Sequence, residues 1–182
     1  HIMRRRQRQM CIRDRVLVFP WIGCGECDAC NEDRESDCAA MRIIGLKQKG
    51  GFATHCLVEN DKFLVDIDGL DAADVVPHAC SGITVFNALE KMGALRSDEW
   101  IAIMGCGGLG MNAISIAGAM GFNNIIAVDI DNGKLKAALE MGATKVLNSK
   151  KDDAVSELQK LAEGRLMGVL DTFGGSETGR IA

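Results

Sequence analysis

Four cysteines, Cys24, Cys27, Cys30 and Cys38, follow one another in the spacing C-x2-C-x2-C-x7-C. Close spacings let one short loop aim several thiolates at a common centre, and the last cysteine closes the loop from the far side. Zn(II) suits four thiolates in a tetrahedron, and four protein ligands leave no open position, so such a site is structural rather than catalytic. The loop DACNEDRESDC (28–38) is polar and acidic, with no apolar residue larger than Ala and Cys. It could not order itself by burial, so metal binding would have to supply the ordering energy. An iron–sulfur cluster and uncoordinated thiols are the competing readings. A disulfide framework fits poorly, because no secretory signal is visible and the cysteines outside residues 1–15 are odd in number.

A second chemical signal is Gly105-Cys106-Gly107-Gly108-Leu109-Gly110, which satisfies G-x-G-x-x-G. Alone it is weak. Here it follows an apolar run, Trp100–Met104, opens an Ala- and Ile-rich segment, 109–120, and is followed by Asp129 at the end of a second apolar run, 125–128. That context is the dinucleotide fingerprint. Gly105 permits the tight turn, Gly107 lets backbone approach the pyrophosphate, Gly110 lets helix pack on strand, and free N–H groups at the helix N-terminus, by Gly108 and Leu109, face the phosphates. Asp129 can accept hydrogen bonds from the adenosine ribose hydroxyls and would repel a 2′-phosphate. No Arg or Lys follows before Lys134, which favours NAD over NADP. A glycine-rich turn in an ordinary α/β core is the bland alternative. Cys106 reads as a small buried filler, not a nucleophile.

These residues must be positioned by a chain whose hydrophobic period changes partway along. VLVFP (16–20), GGFATHCLV (50–58) and KFLVDI (62–67) read as strands separated by Gly, Asp and Asn. Residues 16–80 therefore look like a β-rich unit carrying the metal loop. From 81 the pattern alternates helix and strand. Helices are expected over 82–93, with Val85, Leu89 and Met92 on one face, over 133–143, with Leu135, Ala138 and Leu139 inward, and over 153–164, with Val155, Leu158 and Leu161 on one side. Strands are expected at 100–104, 125–128, 145–148 and 167–173. The alternation predicts an α/β unit, 81–182, built on a parallel sheet.

The first fifteen residues stand apart. HIMRRRQRQMCIRDR has no apolar period and carries six Arg and one Asp. It resembles the translation of a library-preparation adapter, so residues 1–15 are set aside as non-native. With them the chain has 21 Lys+Arg against 25 Asp+Glu, net −4; without them the balance is 15 against 24, net −9. An acidic protein offers no surface for nucleic acid. No apolar run approaches the roughly 18–20 residues of a membrane span, so no membrane partner is expected and a cytoplasmic location is.

Together PWIGCGECDAC with Cys38, GGFATH, PHACSGIT, GCGGLG, VDID and EMGATKVLN resemble the zinc-containing medium-chain alcohol dehydrogenases across residues 16–182. The resemblance implies a partial GroES-like, β-rich catalytic domain bearing a structural zinc lobe, then a partial Rossmann doubly wound parallel sheet. It implies zinc ligands Cys24, Cys27, Cys30 and Cys38, and a further ligand role for Cys80 at a second, catalytic zinc. Thr84 aligns with a position beside the nicotinamide. The implied activity is hydride transfer from an alcohol to NAD, giving an aldehyde or ketone. The implied partners are small alcohols or carbonyl compounds, and the parent is expected to be a homo-oligomer.

The chain also departs from that pattern. The family's other catalytic ligands are a Cys and the His of a Gly-His-Glu motif. The histidines here are His1, His55 and His78, and none precedes Glu. The expectation is an internal fragment that binds structural zinc but does not turn over alcohol. Other readings stay open: a polyol dehydrogenase, in which Glu often stands where Cys80 does; a quinone or enoyl reductase, which would lack the four-cysteine lobe; and a non-enzymatic zinc- and nucleotide-binding module.

Overall fold

The computed structural model describes residues 14–93, 95–150, 153–176 and 178–181. The Arg-rich stretch expected to be non-native lies outside the described residues apart from Asp14 and Arg15. The chain divides into two compact units, one ending at Cys80 and the other beginning at Ser81.

The first unit is built from short strands. β1 (Val16–Val18) pairs antiparallel with β4 (Leu64–Asp66), Leu17 opposite Val65. The ladder reaches back to Arg15, whose carbonyl accepts the Ile67 N–H at 3.1 Å. β2 (Trp21–Ile22) pairs with β3 (Arg42–Ile43), Trp21 opposite Ile43. Between them, the four-residue helix α1 (Asp28–Asn31) sits in the cysteine loop. Helix α2 (Ala72–Val75) leads into a 3-10 turn, Val76–Ala79, just before Cys80. The core is small: Ile22, Phe63 and Ile67 are buried, and Phe63 stacks on Phe19 with ring centroids 6.3 Å apart.

Two strand expectations in this unit change. Residues 50–58 form no strand, and Phe52 and Leu57 are exposed. Partial alternation is not enough; a strand exists only when a neighbour takes its N–H and C=O groups, and among the described residues none pairs with this segment. The expected strand at 62–67 shrinks to Leu64–Asp66. The Asn60 side chain accepts the Lys62 N–H at 2.9 Å and winds 61–63 into a 3-10 turn instead.

In the second unit the alternation holds. It runs α3 (Ser81–Met92), β5 (Trp100–Met104), α4 (Gly108–Ala119), β6 (Ile125–Asp129), α5 (Asn132–Met141), β7 (Lys145–Asn148), α6 (Ala154–Leu161) and β8 (Leu166–Asp171). The four strands are all parallel, in the order β7-β6-β5-β8. This is the 3-2-1-4 portion of a doubly wound sheet. Every residue of β5 and β6 is buried, as expected of central parallel strands covered on both faces. One face packs Ile101, Ile103, Ile125 and Ala127 against α3, α4 and α5 through Val85, Leu89, Ala113, Ile114, Leu135 and Ala138. The other packs Trp100, Ala102, Met104, Ile126 and Val128 against Leu158 and Ala162.

Helix ends follow local chemistry. The Asp131 carboxylate caps α5 by accepting from Gly133 and Lys134 N–H, and Gly142 closes it at φ +118°. Two residues expected inward face solvent. In α5 the buried stripe runs from Leu135 to Ala138, so Leu139 falls beyond it and is 45% exposed. In α6 the buried line is Ala154, Leu158 and Ala162, at spacings of four; Val155 lies off that line and is 40% exposed.

Candidate metal centre and dinucleotide site

The cysteine lobe brings its four sulfurs together. One ligand atom from each of Cys24, Cys27, Cys30 and Cys38 lies within 4.8 Å of all the others, and Cys24 Sγ and Cys30 Sγ are 3.9 Å apart. A zinc ion with sulfurs at about 2.3 Å in a tetrahedron requires sulfurs about 3.8 Å from each other, so the lobe fits that ion. Local folding explains the convergence. The single turn of α1 places Cys27 and Cys30 at its two ends. Gly23 is required where it stands, because a Cβ there would collide with Cys30 Sγ. Arg34 spans the loop, pairing with Glu32 and Asp37, each at 2.7 Å. Lys62 pairs with Glu35, fastening the lobe near the start of β4.

The electrostatics suit bound thiolates. The backbone N–H groups of Glu26 and Cys27 point at Cys24 Sγ and lower its pKa to about 6. For Cys27, the Cys30 N–H favours the thiolate, but its thiol neighbours Cys30 and Cys24 outweigh that and raise it to about 11. The Cys24 thiolate therefore forms readily, while the Cys27 thiolate beside it needs a cation to stabilise two negative sulfurs together.

The glycine turn lies at the C-terminal end of β5. Gly105 has φ +88°, and a Cβ on Gly110 would strike the Gly105 carbonyl oxygen, so the first and last glycines of the motif are obligatory for the turn itself. Gly107 and Gly108 differ: nothing lies within 4 Å of the space a Cβ would fill. That leaves an open backbone cradle at the N-terminus of α4, with the room and the N–H groups that an anion requires. Leu109 stands beside it, 37% exposed.

Asp129 ends β6 and is, among the described residues of this unit, the buried charged one, 8% exposed. Its Oδ2 accepts the Cys106 N–H at 2.7 Å and its Oδ1 accepts the Asp131 N–H at 2.9 Å. Lys134 Nζ lies 4.0 Å from Oδ2. The carboxylate expected to meet ribose hydroxyls is thus also a brace for the glycine turn, and each oxygen keeps a lone pair for a further donor. Cys106 itself is 2% exposed, and burial, followed by the Asp129 charge, raises its thiol to about 11. It is a filler, as its position in the motif suggests. Sequence reasoning missed Thr172, whose Oγ1 lies 2.9 Å from Met104 O and 2.8 Å from Gly105 O, clamping the turn from the end of β8. Nothing local marks it, since 67 residues separate Thr172 from Gly105.

Cys80 and Thr84 are both exposed. Among the described residues, the four-cysteine lobe is the group of three or more metal-capable side chains that converge, and Cys80 does not join it. The described residues bring no second such group together, at Cys80 or elsewhere. His55 is exposed, with Nδ1 3.1 Å from Thr54 Oγ1, and His78 is exposed too. A cavity of about 400 Å³ opens at the C-terminal ends of α3 and α4, lined by Gly93, Leu95, Met120 and Phe122 among others. None of the expected site residues borders it.

A β-rich unit with a four-cysteine lobe thus precedes a parallel sheet with a glycine turn, and both units have counterparts among known proteins. Residues 6–69 match the alcohol dehydrogenase GroES-like domain, and residues 108–180 match the zinc-binding dehydrogenase family. The chain is 37% identical over 155 residues to an alcohol dehydrogenase of Geobacillus stearothermophilus, a stretch that covers 84% of this chain and 45% of that protein. It is 36% identical over 152 residues to an NAD-dependent alcohol dehydrogenase of Sulfurisphaera tokodaii, covering 84% of this chain and 44% of that one. The crystal structure of the alcohol dehydrogenase from Aeropyrum pernix superposes with a TM-score of 0.81 at 29% identity, over 91% of this chain and 49% of that one. The two units thus match the two domains of the zinc-containing medium-chain alcohol dehydrogenases. The chain spans about half the length of the curated relatives it matches.

Proposed function

We propose that residues 16–80 and 81–182 are the zinc-lobe portion and the dinucleotide-binding portion of an NAD-dependent zinc alcohol dehydrogenase. The whole protein oxidises a small alcohol to an aldehyde or ketone. The observation that carries this reading is the convergence of four cysteine sulfurs within 4.8 Å in the unit preceding a strand, G-x-G-x-x-G turn and acid.

Cys24, Cys27, Cys30 and Cys38 would hold a structural zinc, whose closed shell staples a loop too polar to order by burial. When bound, NAD supplies the nicotinamide C4 that accepts hydride. The chain's own residues do the binding and orienting. Backbone N–H groups of 107–110 neutralise the pyrophosphate, Gly105 and Gly110 shape the turn, and Asp129 with Lys134 receives the adenosine ribose hydroxyls. Thr84 would border the nicotinamide, and Cys80 would be this chain's contribution to a catalytic zinc, for which the described residues gather no further ligands around it. A simple alcohol is favoured over a polyol because Cys80 is not Glu. Thiols kept reduced for zinc suit the cytoplasm, and the whole enzyme is read as a homo-oligomer. No helix among the described residues is long and apolar enough to cross a membrane.

The test uses the 182-residue chain. Zinc content by atomic absorption should be one per chain and should vanish in Cys38→Ala. NADH should bind, seen by its fluorescence, while short alcohols with NAD give no turnover. Absence of zinc in the freshly purified chain, or zinc-dependent turnover by it, would reject this reading.

A further inference from the structure

Asn112 belongs to none of the motifs that carry the NAD reading, yet it links two helices that the reading needs. It is the fifth residue of α4, and its Nδ2–H donates to the Ser81 Oγ at 2.6 Å in a partly buried contact. Ser81 is the first residue of α3. The bond spans 31 positions of sequence and sets the starts of the two helices side by side. A carboxamide is out of place by propensity in a helix whose other residues here are Gly, Leu, Met, Ala, Ile and Ser, and a partly buried amide needs a partner.

The topology says which half of a dinucleotide this bond would serve. Asp129 stands at the end of β6, on one side of the glycine turn that follows β5. On the other side of β5 lies β8, and α3 packs over it, with Met92 Sδ next to the space that a Cβ on Gly168 would fill. A dinucleotide with its adenosine ribose at Asp129 and its pyrophosphate on the turn therefore runs on toward β8 and α3. On the NAD reading, in which Thr84 borders the nicotinamide, the nicotinamide end would meet the first turn of α3, where Thr84 is exposed one turn beyond Ser81.

We propose, resting on the NAD reading, that Asn112 is a positioning residue: through Ser81 it holds the first turn of α3 against the dinucleotide helix and so shapes the nicotinamide half of the site. The adenosine half, built on Asp129 and the glycine turn, does not depend on it.

The experiment compares NADH with ADP-ribose, which lacks the nicotinamide, by titration calorimetry on the full 182-residue chain and on Asn112→Ala, Ser81→Ala and the double variant. Losing one hydrogen bond predicts NADH binding weakened roughly 3- to 10-fold in each single variant. ADP-ribose affinity should stay within about twofold, which also shows that each variant is folded. Because both residues act through one bond, the double variant should be no weaker than either single one. The proposal is overturned if ADP-ribose weakens in parallel with NADH, if neither ligand responds, or if the single effects add. If the parent chain binds ADP-ribose but gains nothing from the nicotinamide, the positioning role is rejected while the adenosine site stands. If it binds neither ligand, the NAD reading falls and takes the proposal with it.

Discussion

The Asp129 carboxylate accepts the Cys106 backbone N–H at 2.7 Å, joining the end of β6 to the glycine turn that leaves β5. A residue read as a ribose acceptor is therefore also part of the scaffold it serves. Asp129→Ala should act twice. The buried Cys106 N–H loses its acceptor, which costs about 1–3 kcal/mol in urea unfolding. NADH affinity should fall at least about tenfold, and discrimination against NADPH should relax because the charge that repels a 2′-phosphate is gone. A variant as stable as the parent would mean that the bond braces nothing.

Two glycines of one helix should respond in opposite ways. At Gly110 an added Cβ meets the Gly105 carbonyl oxygen, which is backbone and cannot swing aside. Gly110→Ala should destabilise the second unit by more than about 2 kcal/mol and abolish ADP-ribose binding. At Gly118 an added Cβ meets nothing within 4 Å, and the residue is helical. Gly118→Ala should raise stability by about 0.5–1 kcal/mol. Equal effects in thermal melts would contradict the geometry.

The cysteine lobe should weaken at acid pH through Glu35. Its hydrogen bond from Lys62 holds its carboxyl below the ordinary glutamate value of 4.5. A carboxyl whose folded pKa is depressed contributes its stability above the unfolded pKa and loses it as pH falls through the folded one. The contribution, up to about 1 kcal/mol for a partly exposed pair, is therefore intact at neutral pH and fades below about pH 4. Hydrogen exchange of residues 28–38 should rise across that window, and Glu35→Gln should flatten this part of the rise.

Cysteine reactivity should follow burial rather than motif membership. Cys106 is 2% exposed with its thiol raised to about 11, whereas Cys56 is exposed. Iodoacetamide at pH 8 should label Cys56 within minutes and leave Cys106 unmodified in the folded chain, read by peptide mass spectrometry. Labelling of Cys106 at a comparable rate would show that the glycine turn opens far more often than its packing allows.

Much of the site is legible in the sequence because its chemistry is local. Cys24, Cys27, Cys30 and Cys38 lie on one loop, and the glycine turn with its flanking strand and helix is one continuous segment, so spacing alone carries the geometry. The alternation of strands and helices after residue 81 is legible for the same reason, each period being set by near neighbours. What spacing cannot carry is partnership. Residues 50–58 have a strand's partial alternation but no neighbour among the described residues, so they stay a loop. Leu139 and Val155 fall outside their helices' buried stripes because the neighbouring elements, not the helix period, set where each stripe lies. The double duty of Asp129, the Thr172 clamp and the bond from Asn112 to Ser81 join residues 23, 67 and 31 positions apart. Each exists because the β7-β6-β5-β8 order and the packing of α3 beside α4 bring distant backbone together. Residue types and local spacing determined which chemistry this chain can hold. Only the tertiary structure decided which groups hold that chemistry in place, since hydrogen bonds reach about 3 Å and only the folded chain brings such partners within that reach.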